Sequence, residues 1–135
     1  QGLRALSQQC ADALAAAALE ANGQDLANGA WALARLQVDC PATWTSISEQ
    51  SLRQIESLNA VDLCQLAWAF ASSSGECVEV FGALQREAAK KLGDCTPQGL
   101  SSLAWSSARL GLRDLALLDG LAAETQAKVH DFLPQ

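Results

Sequence analysis

A chain of 135 residues that is half hydrophobic has ample material for a packed core, and its longest apolar run, residues 13–19, falls far short of a membrane span of roughly 20 residues. The net charge of −6 sets it apart from free-standing nucleic-acid binders, which are usually basic. Five cysteines (Cys10, Cys40, Cys64, Cys77, Cys95) show no Cys-x-x-Cys spacing and His130 stands alone. This argues against a zinc site or disulfide framework and reads as small buried hydrophobes in a reducing compartment.

The chain matches itself at an offset of 37. Trp31, Trp68 and Trp105 are each 37 residues apart, and each sits in the same phrase: Asp-Leu-Ala-Asn-Gly-Ala-Trp-Ala-Leu-Ala (25–34), Asp-Leu-Cys-Gln-Leu-Ala-Trp-Ala-Phe-Ala (62–71) and Gly-Leu-Ser-Ser-Leu-Ala-Trp-Ser-Ser-Ala (99–108). A fixed period in this range marks a stack of similar units. Residues 1–22 align with the second helix of a preceding unit, with Cys10, Leu14 and Ala18 in its apolar columns. Ala15–Ala18 is then a close-packed helical stretch.

The first unit, 23–59, opens with a helix over 23–36. Asn22 is its N-cap and Asp25 lies in its first turn, favourable to the helix dipole. Leu26, Ala30 and Ala34 fall at i, i+4 and i+8 on one face, and the alanines there let a neighbour approach closely. Asp39-Cys40-Pro41 breaks the chain before a second helix over 42–57, with Trp44, Ile47, Ile55 and Leu58 inward. The second unit, 60–96, repeats this. Asn59 caps a helix over 60–73 with Leu63, Ala67 and Ala71 on its face; Ser72–Gly75 forms the break; and a helix over 77–94 buries Phe81, Leu84, Leu92 and Cys95. In the third, 97–133, Thr96 caps a helix over 97–110 that starts on Pro97 and carries Leu100, Ala104 and Ala108. Gly111 ends it, and a helix over 113–131 follows with Leu118, Leu121, Val129 and Phe132 inward. Leu133-Pro134-Gln135 matches Thr96-Pro97-Gln98, so 134–135 reads as the stub of a following unit. With half a unit in front and no polar cap at either end, the chain reads as an excerpt from a longer array. The fold expected is all-α, a solenoid of antiparallel helix pairs with a 37-residue repeat. Leu26, Trp31, Leu63, Trp68, Leu100 and Trp105 form its repeat signature, the tryptophans at the edge of the packing face.

The Leu-x-x-x-Ala-Trp-Ala-x-Ala-x-Leu phrase, repeated at this period and preceded in the third unit by Pro97-Gln98, resembles the octotricopeptide repeat and the related helical repeats of FAST-kinase-like and RAP-domain proteins. The resemblance spans essentially the whole chain. Cys40-Pro41-Ala42-Thr43-Trp44 faintly echoes the Pro-rich, Trp-containing start of the second helix in green-algal members; Phe81 and Leu118 replace that Trp later, and no Pro-Pro-Glu-Trp signature occurs, which marks a divergent branch. The resemblance implies a right-handed α-solenoid that binds single-stranded RNA in a mitochondrion or plastid, acting in RNA processing, stability or translation.

On a helical wheel with Leu26 at 0°, Asn28, Ala32 and Arg35 fall at about 180–240°, opposite the packing face. The same columns hold Gln65, Ala69 and Ser72, then Ser102, Ser106 and Arg109. These columns vary between units while the packing columns do not. Amides suit base edges, and Arg suits phosphates or stacking. Asn28, Gln65 and Ser102 are therefore candidates to read bases, Arg35 and Arg109 to hold phosphates or stack, with Ser72 and Ser106 beside them. A solvated polar face explains the same residues without a ligand. Segments 24–36, 61–73 and 98–110 carry Asp25 and Asp62 against Arg35 and Arg109, so the excess negative charge lies in the second helices and loops. Two arginines release few counterions, and RNA affinity of this chain alone should be weak. Arg86, Lys90 and Lys91 form one basic cluster on a second helix, read as a solvated face paired to Glu87. A protein-binding scaffold or structural subunit of a large assembly is the alternative function. Paired carboxylates, a Ser-His-Asp set and a Gly-rich phosphate loop are missing, so no catalysis, metal or cofactor is expected.

Overall fold

Helix starts are fixed by local capping. Asn22 Oδ1 accepts the Asp25 N–H at 2.9 Å, and Asp25 Oδ2 accepts the Asn22 N–H at 3.3 Å, a reciprocal capping box. Asn59 Oδ1 accepts from Asp62 N at 2.8 Å, and Thr96 Oγ1 from Gly99 N at 3.1 Å. Each side chain satisfies one of the backbone donors that a helix leaves open at its start.

The structure is a computed structural model that describes residues 2–73 and 78–132, apart from the side chains of Ser7, Ala11, Leu14 and Phe132. The described residues are all-helical: α1 (Gly2–Ala18), α2 (Gly23–Leu36), α3 (Pro41–Arg53), α4 (Ala60–Ser72), α5 (Val78–Lys90), α6 (Pro97–Leu110) and α7 (Leu115–Ala127). Pro41 stands at the first turn of α3 and Pro97 at that of α6. Gln37 (φ 53°) and Gly111 (φ 65°) end α2 and α6 in the left-handed conformation, which glycine adopts without strain. Ser74 and Gly75 from the predicted second break, Cys77 at the start of the helix predicted over 77–94, and the stub at 134–135 lie outside the described residues.

The second helices end earlier than expected. α3, α5 and α7 stop at Arg53, Lys90 and Ala127, and each is followed by a 3-10 turn (Ile55–Ser57, Leu92–Asp94, Val129–Phe132). The tightened turn brings the chain back so that Leu58 and Cys95 enter the core. The carbonyls it exposes are gathered from the next turn along. Lys91 Nζ donates to the Glu56 and Leu58 carbonyls (2.9 and 2.6 Å), and Lys128 Nζ to those of Gly93 and Cys95 (2.9 and 2.8 Å). Gln54 Nε2 makes the same reach to Ala21 O at 2.9 Å. Lys91 is therefore not part of a solvated basic face: it clamps two turns together and also pairs with Glu87 at 3.2 Å, while Lys90 pairs with Glu87 at 2.9 Å.

The helices form two layers. α4 packs against both α2 and α6, while α1, α3, α5 and α7 pack in that order behind them; α2 rests on α3, α4 on α5 and α6 on α7. The core runs between the layers through Leu26, Leu33, Ile47, Leu63, Phe70, Phe81, Leu84, Leu100, Leu103, Leu117 and Leu121. Trp44 joins it against Phe70, with ring centroids 5.3 Å apart. Gly23 lets Leu58 approach, since a Cβ there would meet Leu58 Cδ2 at 2.6 Å. Five positions expected to face the core are exposed. Cys10 is exposed, because α1 rests only on α3 and lightly on α2. Ala104 and Ala108 are exposed on the face of α6 that in α4 is covered by the next helix, and Leu118 and Val129 lie on the same uncovered end. Among the described residues no helix is long and apolar enough to cross a membrane.

Candidate functional site

One layer presents the outer faces of α2, α4 and α6 side by side. In α4, which has a neighbour on each side, burial divides the helix cleanly. Leu63, Cys64, Leu66, Ala67, Ala69, Phe70 and Ala71 are all buried, and α4 packs against α2, α5 and α6. Only Val61, Gln65, Trp68 and Ser72 retain solvent access along its length. The same positions in α2 are Gln24, Asn28, Trp31 and Arg35, and in α6 Gln98, Ser102, Trp105 and Arg109. They follow i, i+4, i+7 and i+11, a single helical stripe.

The tryptophans belong to this outer stripe. Trp31 and Trp105 are each 45% exposed and Trp68 is half-buried. Trp68 and Trp105 stack with centroids 6.3 Å apart and planes 30° from parallel. The Arg35 guanidinium lies 5.7 Å from the Trp31 ring centre, and that of Arg109 lies 5.5 Å from Trp105. Each of these pairs is one helical turn apart, so the cation sits on a π-face by helix geometry alone. Arg109 Nε also donates to the Ala71 carbonyl at 2.8 Å, tying the end of α4 to α6.

The candidate readers divide into two groups. Asn28 and Gln65 meet across α2 and α4, with Gln65 Nε2 donating to Asn28 Oδ1 at 3.1 Å. Arg35, Gln65 and Ser102 line one groove of about 530 Å³ together with Trp31, Trp68, Val61 and the first turn of α6. Ser72 lies at the rim of the stripe, its hydroxyl donating to Trp68 O at 2.7 Å. Ser106 departs from expectation. It is fully buried, and its hydroxyl donates to Ser102 O at 2.6 Å. Ala69 in the same column of α4 is likewise fully buried, so Ser106 belongs to the packing and offers nothing to a ligand. The open sector is centred near 140–200° on the wheel rather than 180–240°.

Sequence reasoning had the tryptophans as repeat markers at the edge of the packing face and passed over their outward exposure. The signal was present: Trp31 lies about 140° from Leu26 and so only about 40° from Arg35. Val61 and Gln98 on the groove wall were also missed. Among the described residues no three His, Cys, Asp or Glu side chains gather into a metal-holding group. The charged side chain lining the groove is Arg35, and the remaining polar and aromatic chemistry there is that of Trp31, Trp68, Gln65, Gln98, Thr96 and Ser102. Comparison of the chain with models of known protein families and with curated protein sequences returned no match.

Proposed function

We propose that this chain is a segment of a right-handed α-solenoid with a 37-residue repeat, and that the outer faces of α2, α4 and α6 hold single-stranded RNA. The equal spacing of the starts of α2, α4 and α6 (Gly23, Ala60, Pro97) supports the repeat, as does the recurrence of the Gln54, Lys91 and Lys128 clamps at the same interval. The observation that carries the ligand class is the outward tryptophan row with arginines on two of its rings. Single-strand binders combine aromatic platforms for bases with cations that follow the backbone, and stacking tolerates any base. Gln65, Asn28 and Ser102 beside the row supply donors and acceptors for base edges. The resemblance to octotricopeptide repeats supports an organellar setting, a mitochondrion or plastid, and a part in RNA processing, stability or translation.

The second reading, a protein-binding scaffold, draws on the net charge of −6 and on Val61, 57% exposed beside the groove. Fluorescence anisotropy with a randomised single-stranded RNA pool separates the two. RNA binding is expected to weaken with salt, and Trp105→Ala to lose about 1–3 kcal/mol of stacking, roughly 5- to 150-fold in Kd. Ser106→Ala should bind as the parent does, since its side chain is inside the packing. Absence of binding at low salt by the folded protein would refute the RNA reading and favour the scaffold.

A further inference from the structure

Cys64 in α4 and Cys95, just after the 3-10 turn that follows α5, are 31 residues apart in sequence, yet their sulfurs are 3.7 Å apart in the core. Both are nearly inaccessible, 4% and 3% exposed. The positions 37 residues earlier hold Ala27 and Leu58, also buried, so hydrocarbon serves the same place elsewhere in the fold. The thiols are thus a feature of one layer and not a demand of the packing.

Three observations make the pair chemically distinct from buried structural cysteines. The first is the sulfur–sulfur contact. A disulfide bond is close to 2.05 Å, so closure requires the sulfurs to approach by only about 1.6 Å. The second is access. Cys64 lies on the wall of the 530 Å³ groove, with Gly99 opposite; a Cβ at Gly99 would come within 3.1 Å of Cys64 Sγ, so the glycine leaves the sulfur its space. The third is charge. Lys128 Nζ is bound to the Cys95 carbonyl at 2.8 Å and places an ammonium beside that residue. The contact with Cys64 draws the Cys95 thiol below its ordinary range and Lys128 adds to this, while the same contact and burial push the Cys64 thiol up.

We propose that Cys64 and Cys95 form an oxidisable dithiol beneath the groove, which a small hydroperoxide converts to an intramolecular disulfide. One S–S bond forms, two S–H bonds and the peroxide O–O bond break, and the two sulfurs are oxidised while hydrogen peroxide is reduced to two waters. The sulfur of one thiol attacks a peroxide oxygen and gives up its proton, leaving a sulfenic acid and one water; the second thiol then displaces a second water from that sulfenic acid as the S–S bond closes. The bond straps α4 to the segment that leads into α6, and so fixes the spacing of the two helices whose tryptophans stack. This chemistry is the same whatever the groove binds.

The test uses the whole chain carrying Cys10→Ser, which removes the one exposed thiol among the described residues. The folded protein is treated with hydrogen peroxide, unreacted thiols are alkylated in denaturant, and peptides are mapped without reductant. The expected result is a cross-linked peptide joining Cys64 and Cys95, two hydrogens lighter than its parts, and a thermal midpoint raised by about 5 °C or more that reverts on reduction. Adding Cys64→Ala, which copies Ala27, should abolish both changes. Recovery of Cys64 and Cys95 as alkylated thiols from oxidised, folded protein would overturn the proposal. So would a cross-link that forms only in unfolded chain, or any other pairing in its place.

Discussion

Replacing Lys91 with Met removes the clamp between successive turns while keeping the length of the side chain. The ammonium donates to two carbonyls, at 2.9 and 2.6 Å, and pairs with the buried Glu87 at 3.2 Å. Hydrogen bonds to charged groups are each worth about 1.5–3 kcal/mol net. The Lys91 side chain is 25% exposed and Glu87 keeps Lys90, so the full sum is not lost. A cost of about 2–3 kcal/mol is expected, or about 8–12 °C in the thermal midpoint of a domain this size. Urea unfolding followed by circular dichroism measures it as a lower midpoint at constant slope. Lys91→Gln should recover roughly half, because Gln54 makes the equivalent contact with Ala21 O at 2.9 Å. A Lys91→Met midpoint within about 0.5 kcal/mol of the parent would refute the clamp, since surface changes that touch nothing fall in that range.

The pH dependence of stability should carry the mark of Glu87. Hydrogen bonds from Lys90 and then Lys91 hold its carboxyl below the ordinary value of 4.5, so its contribution is whole above that value and is lost as the pH falls through the lowered folded value. Asp62 opposes it, because burial raises its carboxyl above 3.8 and the ionised form is a cost that protonation relieves. Urea midpoints taken downward from neutral pH should fall more steeply in the parent than in Glu87→Gln; equal slopes would count against the paired carboxylate. Ser51 is fully buried, and its hydroxyl is the one side-chain polar atom among the described residues that is buried without a hydrogen-bond partner. Its equivalent in α5 is the buried Ala88, so Ser51→Ala should raise stability by about 1–2 kcal/mol, and a loss in the same urea assay would show that the hydroxyl is satisfied.

The starts of α2, α4 and α6 and the leucines that anchor them were legible from the chain alone, because each is encoded within a turn or two. A side-chain cap acts on a backbone N–H three residues away, as Asn22, Asn59 and Thr96 do, and Leu26, Leu63 and Leu100 reach the core because 3.6 residues per turn returns them to one face. The tertiary structure decided which remaining faces were left open. A helix inside a two-layer stack is covered on three sides, whereas a wheel distinguishes only an apolar side from its opposite. That is why Ser106 turned into an interface while the tryptophans stayed in solvent beside Arg35 and Arg109. The Lys91 and Lys128 clamps and the contact of Cys64 with Cys95 join residues more than 30 positions apart. Such contacts depend on how far the chain descends between layers, and only the packed stack sets that distance.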